Sequence, residues 1–197
     1  MSTLSAPVRR GIVLESITLA WNVVGVIVLS VTALAARSVA LGGFGVDSLI
    51  EILASTVVIW ELRDVKGTRQ RRALLYIGAA FIACTAYVVI ITVLALVHGV
   101  HPEHSPGGIV WTALTAVAMF ALAAAKARLG QRIGNPVLIT EGRVTLVDGL
   151  LASAVLVGLS ANALAGWWWA DPGAGLVIVY YAVRESREAF AHYRAAV

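Results

Sequence analysis

Long apolar blocks constrain the fold of this chain more than any other feature of its sequence. Six blocks of about 20 residues follow one another, and about 20 helical residues cross the hydrocarbon core of a bilayer. They cover residues 11–34, 39–62, 73–98, 108–126, 136–165 and 171–189. Charged residues make up 13% of the 197 positions, against about a quarter in soluble domains. The sequence predicts an all-α polytopic membrane protein of six transmembrane helices, forming a single transmembrane domain over residues 1–197.

The basic residues predict how these helices are oriented. They gather in four places: before block 1, between blocks 2 and 3, between blocks 4 and 5, and at or after the end of block 6. These residues are Arg9, Arg10, Arg63, Lys66, Arg69, Arg71, Arg72, Lys126, Arg128, Arg132, Arg184, Arg187 and Arg194. On the opposite side there is only Arg37, so the positive-inside rule predicts that the N and C termini are both cytoplasmic. Because the charge follows topology, the net charge of +4 does not indicate nucleic-acid binding.

Two acids interrupt the second block, in the stretch GFGVDSLIEILAS. Asp47 and Glu51 are four residues apart, so they share a helical face and lie about 6 Å apart along the axis. Counting the helical rise from the cytoplasmic end of each block places Asp148 of the fifth block about 18 Å deep in the membrane. The same count places Glu51 of the second block at about the same depth. Burying each acid there costs about 2.5 kcal/mol or more. We predict that Asp47, Glu51 and Asp148 hold a metal cation or protons; the alternative is a structural hydrogen-bond cluster.

The two acid-bearing blocks also show a weak internal repeat. VDSLI at 46–50 is similar to VDGLL at 147–151, and the two helices run in opposite directions through the membrane. Three helices precede the loop at 98–108 and three follow it, which predicts a 3+3 inverted arrangement. Transporters built in this way bind their substrate near the midplane, at corresponding positions of the two halves.

Other polar residues are candidates for the same cavity. Glu141 lies two helical turns before Asp148 and is interpreted as a lower ligand, an access-path carboxylate or an interfacial residue. In block 1, Glu15, Thr18 and Asn22 share a face and either reach the metal or proton path or hydrogen-bond between helices. Arg143 is the only base that the pattern places near Asp148, and it either neutralises the acids or extends to the cytoplasm.

Two further segments carry local signals. The outer loop HGVHPEH contains His98, His101, His104 and Glu103, which form either a metal-collecting loop or an ordinary solvated one. Farther along, Asp171 and Pro172 predict the start of the last helix, with the aspartate as its cap and the proline in its first turn.

The motifs resemble those of the cation diffusion facilitator family. SVALGGFGVDSLIEILAS resembles its second transmembrane helix, which has a Ser-x-Ala-Leu opening and an Asp-x-x-x-Asp metal motif; Asp47 matches the first acid and Glu51 the second. The fifth helix of the family commonly carries His-x-x-x-Asp, and here Asp148 matches the aspartate while Val144 replaces the histidine. The segment from Gly142 to Glu188 looks like a compact bacterial branch with the six-helix domain alone, lacking the cytosolic C-terminal domain.

The resemblance implies a function. Similar proteins exchange a divalent metal ion, often zinc, for protons as homodimers. The resemblance implies that this chain is a proton-coupled antiporter that works by alternating access. It also implies a multi-pass protein of a bacterial inner membrane, whose partners are lipid, a metal ion and protons. No prosthetic group is expected, and the metal is the transported substrate. Because Val144 supplies no nitrogen and oxygen ligands remain, zinc, manganese and iron all stay open.

Two other functions compete with transport. A non-transporting membrane scaffold or metal sensor fits the short chain and the missing histidine. An intramembrane aspartyl enzyme is suggested by GFGVD, which resembles a Gly-x-Gly-Asp motif with its spacing off by one residue. Glu51 has no role in that chemistry, so the sequence favours a protein that is not an enzyme.

Overall fold

The computed structural model describes residues 6–62, 70–134 and 136–195, and within them all regular secondary structure is α-helix. The six helices are α1 (Ala6–Ala36), α2 (Val39–Leu62), α3 (Gln70–Val97), α4 (Pro106–Ile133), α5 (Pro136–Ala165) and α6 (Ala170–Ala195). The all-α prediction is confirmed, and the bounds of α2 and α5 are those expected. The basic loop segment containing Arg63, Lys66 and Arg69 lies outside the described residues.

The helices are long and apolar enough for a membrane protein. Four described segments meet the length and hydropathy of a membrane span: α1, Val39–Trp60 of α2, α4, and Glu141–Ala165 of α5. In α3 the apolar run Thr85–Val97 is shorter. Many large side chains on these helices point outward, such as Leu34, Val117 and Leu164, each more than two thirds exposed. These features confirm a polytopic all-α membrane protein, whereas the cytoplasmic placement of the termini stays a prediction.

The helices pack both within and between the two halves of the chain, and α3–α6 is the most extensive contact between the halves. The most extensive contacts join α1 to α2, α4 to α5, and α3 to α6. In each half the second helix also packs on the third, since α2 contacts α3 and α5 contacts α6, and α1 meets α4 while α2 meets α5 between the halves. The pairs α1–α2 and α4–α5 therefore occupy equivalent places, and the two acid-bearing helices meet inside the bundle.

The start of α2 is fixed by an acid from another helix. The Asp171 carboxylate accepts hydrogen bonds from the Ser38 hydroxyl and from the backbone N–H of Val39 and Ala40, at 2.8 and 3.2 Å for the latter two. Ser38 in turn accepts from the N–H of Leu41 at 3.0 Å. The first N–H groups of a helix have no intrahelical acceptor and attract negative charge. The prediction that Asp171 caps its own helix is therefore wrong, because its carboxylate caps α2.

Candidate cation site in the membrane core

Five of the buried carboxylic acids lie on α1, α2 and α5, inside the bundle. They lie on three helices: Glu15 on α1, Asp47 and Glu51 on α2, and Glu141 and Asp148 on α5, none more than 4% exposed. Every inner acid that the sequence singled out is thus inside the protein. Acids in such surroundings require an ion, a proton or a hydrogen-bond donor for each oxygen.

Asp47 and Asp148 meet across the α2–α5 interface. Their side chains approach within hydrogen-bonding range of each other as a carboxyl pair. Neither oxygen of Asp148 has a hydrogen-bond partner among the described residues when both groups are ionised, and Oε2 of the nearby Glu51 also has none. Two ionised carboxylates have no hydrogen to share, so the pair needs either a proton between its oxygens or a cation beside them.

From this pair the acids continue along the interior toward the start of α5. Glu51 interacts electrostatically with Asp148, Glu141 and Lys126. Because α2 advances from Asp47 to Glu51 while α5 goes back from Asp148 to Glu141, the two helices cross in opposite directions, as the inverted arrangement predicts. The interior is therefore a column of carboxylates, with the Asp47–Asp148 pair at one end and Glu15 and Glu141 at the other.

Lys126 differs most from what the sequence analysis expected. The basic residues between blocks 4 and 5 predict a cytoplasmic loop at this position. Instead, α4 continues to Ile133, and Lys126 is completely buried. Its Nζ donates to Glu15 Oε2 at 2.9 Å, to Glu141 Oε1 at 3.3 Å and to Thr145 Oγ1 at 3.0 Å. A buried ammonium requires such partners, because an unpaired charge is very costly away from water.

Of the two possibilities for Arg143, extension away from the acids fits the structure, since Arg143 is exposed on α5. The buried base that contacts the acids is Lys126, from α4. A close approach of the two helices brings Lys126 there: a Cβ on Gly142 would lie 3.0 Å from the backbone nitrogen of Ala127. The residue before each of these two positions, Glu141 and Lys126, is thereby placed on facing helices within contact distance.

The α1 candidates lie in the same interior. Asn22 is buried, and its Nδ2 donates to the Thr18 carbonyl oxygen at 3.1 Å. A Cβ on Gly25 would lie 3.6 Å from Ser48 Oγ, so α1 packs closely on α2 one residue after Asp47. Since α1 and α2 are consecutive and antiparallel, Asn22 lies near the level of Glu51.

Three more residues lie near the acids. One of them supplies no ligand, and the sequence did not point to the other two. Val144, the position of the expected histidine, belongs to the apolar core. Glu185 of α6 is 9% exposed and interacts electrostatically with Asp47. Thr145 accepts the hydrogen bond from Lys126. The acid on α6 and the threonine carry no motif, and only the packing of the helices places them at the site.

The outer-loop histidines are exposed and separate. His98 Nδ1 lies 2.8 Å from the Leu94 carbonyl oxygen, and His101 Nδ1 lies 2.8 Å from that of Gly99. The His101 ring also packs against Trp168, with 4.8 Å between the ring centroids. Across the described ranges, neither this loop with His104 nor the inner acids form a group of three His, Cys, Asp or Glu side chains positioned to hold a metal ion. Ion binding by either set stays a prediction.

Comparison with known proteins identifies the family to which this chain belongs. Residues 73–192 match the sequence model of the Cation efflux transmembrane domain, which is more than half of the chain. The chain belongs to the cation efflux family. The resemblance to the cation diffusion facilitators is thereby confirmed, and the protein is an integral multi-pass membrane protein of a family of metal-cation transporters. The matched segment contains Lys126, Glu141 and Asp148 but begins after α2, so Asp47 and Glu51 enter the site through their contacts alone.

A curated relative supports membrane placement. Transmembrane protein 163 of Xenopus laevis is 27% identical over 143 residues, which are 69% of this chain and 50% of that protein. The chain thus spans about half the length of this relative.

Proposed function

We propose that this cation efflux protein is a secondary transporter that moves a divalent metal cation through the membrane in exchange for protons. The observation that carries the proposal is Asp148, whose two buried oxygens have no donor among the described residues although Asp47 and Glu51 lie beside it. A divalent cation neutralises this arrangement by binding oxygens from α2 and α5 together. Alternating access then follows from movement of the two helices relative to each other.

The donor atoms favour a metal that accepts oxygen ligands. Asp47, Glu51 and Asp148 supply carboxylates, and Asn22 or Glu141 with water completes the shell. Val144 lies where a nitrogen ligand was expected and contributes none. Manganese and iron(II) readily bind a set of oxygen ligands. Zinc can also bind it, but the set lacks the nitrogen or sulfur ligands that zinc usually has.

The same carboxylates supply the coupling. When the metal leaves, the acids repel one another in a medium of low polarity, and protons restore the neutralisation that the metal provided. Two protons carry the charge of one divalent ion. Metal and protons therefore compete for the same oxygens, which is the condition for antiport.

The proposal extends to assembly and placement. The protein acts as a homodimer in a bacterial plasma membrane, with both termini on the cytoplasmic side, where the arginines gather, and with residues 1–197 as a single transmembrane domain. The alternatives are a scaffold or metal sensor that binds the ion without moving it. Membership of a transporter family argues against the aspartyl enzyme.

Metal flux into proteoliposomes tests the proposal. Purified protein is reconstituted, a pH gradient is imposed, and uptake of Zn²⁺, Mn²⁺, Fe²⁺, Co²⁺, Cd²⁺ and Mg²⁺ is followed. We expect gradient-dependent uptake of at least one metal, lost in Asp47→Asn and Asp148→Asn. Glu188→Gln is the matched control, because this partly exposed acid pairs with Arg184 on the surface of α6. Wild-type flux equal to that of empty liposomes for every metal refutes transport, and unchanged flux in both aspartate variants refutes the site.

A further inference from the structure

Lys126 has the surroundings of a bound cation. Its ammonium is held by two carboxylates and one hydroxyl, from Glu15 on α1 and from Glu141 and Thr145 on α5. All four side chains are buried, with at most 3% exposed. An ammonium donates three hydrogen bonds, and here each has an oxygen acceptor from the protein. Three oxygens from two helices around one positive charge are also the kind of donor set that a hard metal ion uses.

Further oxygens around this ammonium are unused. Glu15 binds Lys126 through Oε2, while its Oε1 is buried and has no hydrogen-bond partner in the described part of the chain. Ser55 of α2 lies within hydrogen-bonding range of Glu15, so its hydroxyl can donate to that carboxylate. Glu15 Oε1 and the Ser55 hydroxyl oxygen are thus further oxygens at the cluster that the ammonium does not bind.

Stability alone does not account for this lysine. Replacing a buried ion pair by apolar side chains of similar size is often neutral or stabilising. The charge balance offers a reason instead, since the five acids of the column share one buried base among the described residues, and Glu185 adds another acid near Asp47. The lysine neutralises the acids at one end of the column and leaves Asp47, Glu51 and Asp148 at the other end without a cation.

We infer that Glu15, Glu141 and Thr145 form a second cation site of this protein and that the Lys126 ammonium occupies it as a tethered ion. The occupied site is closed to free metal, because an ion attached to the chain has a far higher effective concentration than one in solution. The column then takes one free divalent ion, at Asp47, Glu51 and Asp148. This last step rests on the proposed function, whereas the tethered ion does not.

Lys126 is thus a positioning residue that determines how many metal ions the interior holds. Removal of the ammonium exposes two carboxylates, Thr145 and the unused oxygens of Glu15 and Ser55. Divalent ions with oxygen chemistry, such as Mn²⁺, then have a binding site where the wild-type protein has none.

Counting bound Mn²⁺ tests the inference. Free Mn²⁺ gives a sharp electron paramagnetic resonance signal that is lost on binding, so titration of detergent-purified protein gives the number of ions per chain. We expect Lys126→Met to bind one ion more than the wild type. Lys126→Arg, which keeps a cation, and the triple variant Lys126→Met/Glu15→Gln/Glu141→Gln, which lacks the acids, are expected to match the wild type. The His98, His101 and His104 loop is present in all four proteins and cancels in the differences.

The outcomes separate this inference from the proposed function. Equal counts in Lys126→Met and wild type overturn the second site, as does an extra ion that persists in the triple variant. If Lys126→Met does not purify as a monodisperse species, Lys126→Met/Glu141→Gln keeps the net charge of the wild-type cluster and must still gain an ion through Glu15 and Thr145; no gain overturns the inference. A wild type that binds no ion defeats the metal site at Asp148, and an added ion in Lys126→Met still supports the tethered cation.

Discussion

Removal of the Asp171 carboxylate should loosen the helix that carries Asp47 and Glu51. Asp171 is 1% exposed and binds the Ser38 hydroxyl and the N–H groups of Val39 and Ala40 at the start of α2. A helix cap contributes about 1 kcal/mol, and hydrogen bonds to a charged group contribute about 1.5 to 3 kcal/mol each. The bonds share one carboxylate and are not additive, so we expect Asp171→Ala to lower the free energy of unfolding by about 3 kcal/mol, less than three independent bonds to a charged group would give.

Asp171→Asn keeps one acceptor oxygen but loses the charge, and we expect roughly half that loss. For a chain of this length, 1 kcal/mol corresponds to about 2 to 4 °C in the melting temperature. Asp171→Ala should therefore melt roughly 6 to 12 °C below the wild type. The assay is size-exclusion chromatography of detergent-purified protein after heating, with the monodisperse peak as the measure of folded protein.

A matched control and a double-mutant cycle make the result specific. Glu188→Ala removes an exposed acid that pairs with Arg184, and surface pairs of this kind contribute about 1 kcal/mol or less. Ser38→Ala and Asp171→Ala should not add, because both remove parts of one network. An Asp171→Ala protein that melts within about 2 °C of the wild type, well under the shift expected for its size, refutes the capping role.

The remaining predictions concern helix packing and metal selectivity. Gly142→Ala should reduce the yield of folded protein, because its Cβ would lie 3.0 Å from the Ala127 backbone nitrogen and would separate α4 from α5; Gly173→Ala is the control, as no atom lies within 4 Å of its Cβ position. A normal yield for Gly142→Ala would contradict the close approach that places Lys126. Val144→His should shift transport toward Zn²⁺ relative to Mn²⁺, measured in the flux assay, since it adds the nitrogen ligand that zinc favours; an unchanged metal ratio would show that residue 144 does not face the ion.

The depth of a residue along its helix was sufficient to predict that the central acids lie at one level. Which side chain of one helix contacts which part of another could not be predicted in this way. Counting residues from the cytoplasmic ends placed Glu51 and Asp148 at one level, and the structure brings both to the α2–α5 interface. Asp171 and Pro172 indicated a helix start, but a local pattern cannot tell which neighbouring helix the carboxylate reaches. Its partner Ser38 is 133 residues away in sequence.

The predicted end of α4 near residue 126 is wrong, because a charged side chain need not be exposed. Lys126, Arg128 and Arg132 predict a loop, and the helix contains all three. The informative signal is the spacing, because buried positions of α4 recur at steps of three or four residues. They include Gly108, Thr112, Thr115, Met119, Ala123, Lys126 and Gly130. A stripe of small and polar residues at this period predicts a face packed against other helices, and Lys126 lies on it while Arg128 and Arg132 do not.

The missing histidine and the buried lysine belong to one region of the interior. Val144 stands where the family resemblance places a nitrogen ligand, and the next residue, Thr145, accepts a hydrogen bond from Lys126. This interior position thus lacks the zinc-binding imidazole that the family resemblance places there, and beside it lies an ammonium, which cannot bind a metal. In the proposed function, exchange of metal for protons then depends on the carboxylates. Since Lys126 already neutralises Glu15 and Glu141, we expect the acids at the Asp47–Asp148 end of the column to be those that respond to metal.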